Sequence, residues 1–176
     1  MDFIVSMDME PVNTYKKADI PVTSGPNYEI LQIALLAIIV ILIYADTLTT
    51  PFILDDIHNI RDNSHIRMTS LSLNNLLRAG FQSPAADRPI ANISFALNYY
   101  FSCLNVVCFH LINILIYILA GIFLYFFVKA TLKTPVLRAR FEKCGWVPFF
   151  TAFIWLVHPL QSQSVAYLVQ RMNSLA

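Results

Sequence analysis

The chain has 176 residues, of which 57% are hydrophobic and 13% charged, with only 4 glycines. A net charge of +1 leaves no bulk attraction for nucleic acid or acidic surfaces, so charge matters only through where it falls. The apolar residues stand in long blocks separated by polar ones, which excludes an ordinary soluble domain and indicates an all-α integral membrane protein.

Residues 1–27 carry Pro11, Pro21 and Pro26, scattered acids and the pair Lys16-Lys17, and read as a flexible tail. The tail is no signal peptide, because the apolar run starts late and lacks a basic segment directly before it. Ile30 to Ala45 is nearly unbroken aliphatic sequence edged by Tyr28 and Tyr44. Crossing the hydrocarbon core takes about 20 residues, so the run and its aromatic edges predict a first span over 28–46. The competing reading is a buried helix of a soluble protein.

The stretch 46–105 is too polar to cross a membrane and forms a long loop. It opens with Pro51-Phe52-Ile53-Leu54-Asp55-Asp56, two adjacent carboxylates behind an apolar run. Within Thr69 to Phe81, Ser70 or Ser72 can cap a helix whose Leu73, Leu76 and Leu77 share a face, with Gly80 suited to a C-terminal stop. A second helix starts at Arg88-Pro89, proline being favoured in a first turn. There Ile90, Ile93, Leu97, Tyr100 and Leu104 line one side, and Asn92, Asn98 and Ser102 the other. Two short amphipathic helices between spans predict elements at the membrane interface; a small globular loop domain is the alternative. Asn92-Ile93-Ser94 matches the glycosylation pattern, but a place inside a helix makes the match accidental.

Val106 to Val128 predicts a second span, interrupted only by His110 and Asn113 near its start. The linker 129–143 sets Lys129, Lys133, Arg138, Arg140 and Lys143 against Glu142, which places it in the cytoplasm by the positive-inside rule. The 46–105 loop then faces outward and the N-terminal tail inward. A short third span is expected over 146–158, ending at His158-Pro159 on the outer face. Cys103, Cys108 and Cys144 are odd in number and form no disulfide framework; Cys103 and Cys108 read as small packing residues. Cys103, Cys108 and His110 lack a fourth partner at zinc spacing.

This topology puts Asp55, Asp56, Arg88, His158, Gln161 and Arg171 on one side of the membrane, from three separate segments. Asp55 and Asp56 are candidates for a general base toward a hydroxyl or for ligands to a divalent metal; otherwise they solvate a loop or cap a short helix. Arg88 and Arg171 are candidates for a phosphate or pyrophosphate, because a guanidinium offers paired donors; interfacial snorkelling is the competing reading. His158, before Pro159, has a helix-terminal packing role as its default.

The order of motifs, PFILDDIHNI, then RPIANISFALNYYF, FHLINILIY and HPLQSQSVAYLVQRMNSLA, resembles the membrane half of the transmembrane-and-tetratricopeptide-repeat proteins. These are O-mannosyltransferase-like members of the C-type glycosyltransferase superfamily, and VQRM looks more like their bacterial relatives. The resemblance covers roughly Tyr44 to Ala176 and is most specific in HPLQ…VAYLVQR. It implies a partial C-type glycosyltransferase fold with about three transmembrane helices and two interfacial helices in the first outer loop.

By the same resemblance, a sugar would pass from a polyprenyl-phosphate donor to a hydroxyl of an acceptor protein or glycan outside the cytoplasm. Asp55 and Asp56 match the family's acidic motif; Arg88, His158, Gln161 and Arg171 are expected to bind substrate or carrier phosphate. Ser162-Gln163 stands where members often carry Thr-Glu, so a carboxylate is missing there. Such enzymes have more spans and helical repeats of about 34 residues, so the chain is expected to be an N-terminal fragment or a truncated product. A bacterial inner membrane is favoured, or the endoplasmic reticulum in a eukaryote. The alternative is a small multi-pass protein with an interaction or assembly role and no catalysis.

Overall fold

The computed structural model describes residues 25–141 and 144–176. Lys16-Lys17 in the tail, and Glu142 and Lys143 in the linker, lie outside the described residues. Those described form helices and turns with no strand. Helices α1 (Pro26–Tyr44), α4 (Val106–Leu132) and α6 (Val147–Val157) pack together. Helices α2 (Leu73–Gln82) and α3 (Pro89–Ser102) form a hairpin in the loop between α1 and α4. The short α5 (Pro135–Phe141) follows α4, and after α6 the chain returns toward the loop through α7 (Ser162–Ala166) and α8 (Arg171–Ser174).

Asn27–Thr49 and Val106–Leu132 are each long and apolar enough to cross a membrane. Only 22% and 28% of their apolar windows are buried, far less than in the core helix of a soluble protein. Leu31, Leu35 and Leu42 on α1 and Leu115, Leu119 and Phe123 on α4 point outward. The polar residues of these helices point inward instead. Tyr125 Oη donates to Gln32 Oε1 at 2.7 Å, and Glu29 pairs with Lys129 one turn further toward the linker end. His110 Nε2 lies 3.0 Å from the Thr50 carbonyl, so the Nε2–H tautomer ties the turn after α1 to α4.

The short third span expected over 146–158 appears as a helix with nearly those bounds. This helix, α6, has 11 residues, about 16 Å at 1.5 Å per residue and roughly half a hydrocarbon core. The cause is local: Pro159 disfavours helical backbone at His158, whose ψ is 128°. Tyr117 Oη then donates to the Leu156 carbonyl at 2.9 Å, serving an acceptor that the shortened helix leaves open. Helices α4 and α6 approach closely at Gly121, where a Cβ would stand 2.7 Å from Leu156 Cδ2.

In the hairpin, Ser72 caps α2 by accepting from Asn75 N–H at 3.3 Å, as its position before the leucines predicts. Gly80 does not stop this helix, which runs on to Gln82. Its missing side chain lets α3 approach: a Cβ there would meet Ile93 Cδ1 at 3.2 Å. Pro89 opens α3 in the expected place. The amphipathic pattern of α3 is turned inside out, with Asn92 and Asn98 buried and Ile90 63% exposed. Asn92 Nδ2 donates to the carbonyls of Ala85 (2.7 Å) and Gly80 (3.3 Å), so the glycosylation-like triplet is a hairpin fastener.

Cys103 ends α3 at φ 53° and ψ −134°, a conformation that favours glycine. The three cysteines are free, and Cys103 is exposed instead of packed. Cys103→Gly is therefore expected to raise stability by about 1 kcal/mol, read as a higher midpoint in a detergent-micelle thermal melt. An unchanged or lower midpoint would show that the bend carries no strain.

Candidate functional site

The acidic pair sits on a distorted turn. Leu54 has φ 45°, left-handed backbone that costs an aliphatic residue on the order of 1–3 kcal/mol, immediately before Asp55. A single π turn, Ile57–Arg61, follows and is closed by Asp62 N–H on the Ile57 carbonyl at 2.7 Å. Consecutive residues on a helical turn point about 100° apart, so two adjacent acids cannot share one environment. Asp55 points out. Asp56 points in and is 1% exposed.

Both Asp56 oxygens serve the backbone. Oδ1 accepts from Val169 N–H at 2.7 Å and Oδ2 from Ile53 N–H at 3.3 Å. Burial pushes its pKa above the ordinary carboxylate range, against the pull of those two hydrogen bonds. Asp55 is held by its main chain: its N–H donates to Tyr167 Oη at 3.0 Å, and its carbonyl accepts from Asn59 Nδ2 at 3.0 Å. The backbone is clamped while the carboxylate stays at the surface, an arrangement that suits a general base.

Arg88, at the N-terminal edge of α3, donates through Nη1 to the Met172 carbonyl at 3.2 Å and through Nε to Asp87 Oδ2 at 3.4 Å. Its side chain remains 36% exposed. Three hydrogen bonds thus tie Asp55, Asp56 and Arg88 to the returning segment: Tyr167 to Asp55, Val169 to Asp56 and Met172 to Arg88.

Arg171 lies beneath them, 1% exposed. Its Nε donates to Asn113 Oδ1 at 2.6 Å, and Nη2 to the Phe109 carbonyl at 2.8 Å and Asn98 Oδ1 at 3.2 Å. Burial lowers its pKa to about 9.

His158 and Gln161 stay within their own turn: among the described residues, His158 Nδ1 accepts from Leu160 N–H at 3.3 Å, and Gln161 N–H donates to the His158 carbonyl at 2.9 Å. His158 is exposed and caps the turn Pro159–Gln161, in place of the helix-terminal packing expected of it. The structure brings Asp55, Asp56 and Arg88 to one seam, and neither His158 nor Gln161 is bonded to that seam.

Both Asp56 oxygens are turned to backbone N–H groups, so of the two acids proposed as metal ligands Asp55 is the one whose carboxylate is open at the surface. The described residues also hold no group of three His, Cys, Asp or Glu side chains fit for an ion.

Two contributors were not visible in the sequence as site residues. Asn113 was noticed only as a polar interruption of a span, a signal that by itself marks a residue with an interior partner. Tyr167 carries no signal, since an aromatic in a mixed stretch is ordinary.

Among the described residues, these observations define an all-helical arrangement with two helices long and apolar enough to cross a membrane, and a polar seam where a loop meets a returning segment. The chain's kinship is distant but extends over most of its length. It is 28% identical over 151 residues to mouse protein O-mannosyl-transferase TMTC1, covering 81% of this chain and 15% of that protein. Against Drosophila melanogaster protein O-mannosyl-transferase Tmtc1 the identity is 30% over 142 residues, covering 74% and 15%. Against protein O-mannosyl-transferase Tmtc3 of the same fly it is 21% over 171 residues, covering 88% and 18%. The chain spans about 15% of the length of the curated relatives it matches. No family model matches it, and no solved structure does.

Proposed function

We propose that the chain carries the acidic first-loop portion of a membrane glycosyltransferase, which moves a mannose-like sugar from a polyprenyl-phosphate carrier to a hydroxyl of a protein or glycan. The observation that carries this reading is the exposed Asp55 carboxylate on a clamped, left-handed turn, held by the same returning segment that holds the half-exposed Arg88. Similarity to protein O-mannosyl-transferases supports the reaction class. In this scheme the acceptor hydroxyl attacks the anomeric carbon and gives its proton to Asp55. The bond from that carbon to the phosphate oxygen breaks, and the Arg88 guanidinium stabilises the departing phosphate. His158 and Gln161 border the entry of the returning segment and would contact sugar or carrier there.

The basic linker, with Lys129, Lys133 and Arg138, assigns that end to the cytoplasm and the Asp55 seam to the opposite side. The outward Leu73, Leu77, Phe81 and Ile90 suit α2 and α3 to lie at the membrane surface, where the carrier's phosphate also resides. The test uses membranes from cells that make the protein from its own gene, supplied with polyprenyl-phosphate mannose. Asp55→Asn is expected to lower transfer at least about 100-fold with insertion unchanged. Retained transfer in this variant would remove Asp55 from the mechanism.

A further inference from the structure

We propose that Arg171 is a positioning residue, whose buried guanidinium locks the returning segment between α3 and α4 and so fixes where Asp55 stands relative to Arg88. The inference rests on the reading of those two residues as the working pair. Its basis is the set of acceptors around one side chain. Asn113 and Phe109 belong to α4, while Ser94 Oγ (3.4 Å) and Asn98 belong to α3, the helix that begins beside Arg88. Arg171 itself sits one residue before Met172, which holds Arg88, and two after Val169, which holds Asp56.

Every acceptor is neutral. A buried cation without a carboxylate is costly unless each donor is served and its faces are covered. Here the Phe95 ring centroid is 4.6 Å and the Phe109 centroid 5.8 Å from the guanidinium carbon. The amides are oriented for the task as well: Asn113 turns its Nδ2 to the Leu168 carbonyl at 3.4 Å, and Asn98 turns its Nδ2 to Ser102 Oγ at 3.1 Å. A planar fork with five fixed donors can bridge two helices in one set geometry, which the compact, three-donor ammonium of lysine does not reproduce. The same enclosure leaves no face of Arg171 open to a carrier phosphate.

Arg171→Lys tests this, with Asn98→Leu as the milder variant should the first not accumulate. Spin labels on cysteines replacing the exposed His58 and Asp87 report the distance across the seam, with the three native cysteines changed to serine. In parallel, transfer is measured against the concentration of polyprenyl-phosphate mannose, without labels. The expected result is a clearly broadened distance distribution and a kcat lowered about 10–100-fold, with carrier KM changed less than about twofold. A distribution as narrow as the native one overturns the proposal. A KM raised about tenfold with kcat retained would make Arg171 a carrier ligand and overturn it equally. Broadening in a protein whose native form transfers no mannose supports the lock and removes the glycosyltransferase reading alone.

Discussion

Asp56→Ala is expected to destabilise the folded chain by about 2 kcal/mol, whereas Asp56→Asn should change stability by less than about 1 kcal/mol. Alanine leaves the Val169 N–H, buried against α3 and α4, without its acceptor at 2.7 Å. Asparagine keeps one oxygen for that bond and loses the longer one to Ile53. It also removes a charge that burial disfavours, so its two effects oppose each other.

The pH dependence follows from the raised pKa. The folded chain holds this proton more tightly than the unfolded chain. The corresponding stability is fully present below the unfolded pKa and is lost as pH rises through the folded one. Thermal melts in detergent from about pH 4 to pH 7 should therefore show the native chain losing stability relative to Asp56→Asn as pH rises. A constant difference across that range would place the Asp56 carboxylate in water. Because Asp56 acts through Val169, Asp56→Asn should also retain most of the transfer that Asp55→Asn abolishes. Loss of transfer in both variants at unchanged stability would make the two acids a joint catalytic pair.

Gly121→Val is expected to cost about 2–3 kcal/mol, a loss that Leu156→Ala in the same chain should partly restore. A Cβ at Gly121 would lie 2.7, 2.8 and 3.0 Å from Cδ2, Cδ1 and Cγ of Leu156, which is itself 2% exposed and has little room to retreat. Replacing glycine in a helix interior gains back roughly 0.5–1 kcal/mol of backbone entropy, less than the overlap costs. The damage should reach the polar seam, because α6 leads through His158-Pro159 into the segment that carries Tyr167, Val169 and Met172. Melting midpoints of the two single variants and the double variant close the cycle. Additive losses would mean that the Gly121 and Leu156 sites are independent and the α4–α6 approach is looser than it stands here.

Much of the helical layout follows from local chemistry. Ile30 to Ala45 and Val106 to Val128 lack proline within their aliphatic runs, and both became long helices with apolar outer faces. Ser72 and Pro89 mark helix starts because capping and a fixed φ act within one turn. His158-Pro159 carried the signal that α6 ends there, and the short third span expected over 146–158 became an 11-residue helix. Apolar composition registers an environment, whereas a single proline sets a length.

Asp55 and Asp56 have the same side chain and neighbouring positions, so nothing local separates them. Docking of residues 167–172 against the strained turn sent one to the surface and the other onto Val169. Arg171 followed the same logic: a guanidinium in a mixed stretch reads as a surface cation until Asn98, Asn113 and Phe109 close around it. Asn92 and Asn98 suggested a solvent face of α3, and Gly80 a stop, although both serve contacts between helices. Helix propensity and capping are settled within a few residues along the chain. Which face is buried, and which acid is left free, depend on partners as many as 113 residues away.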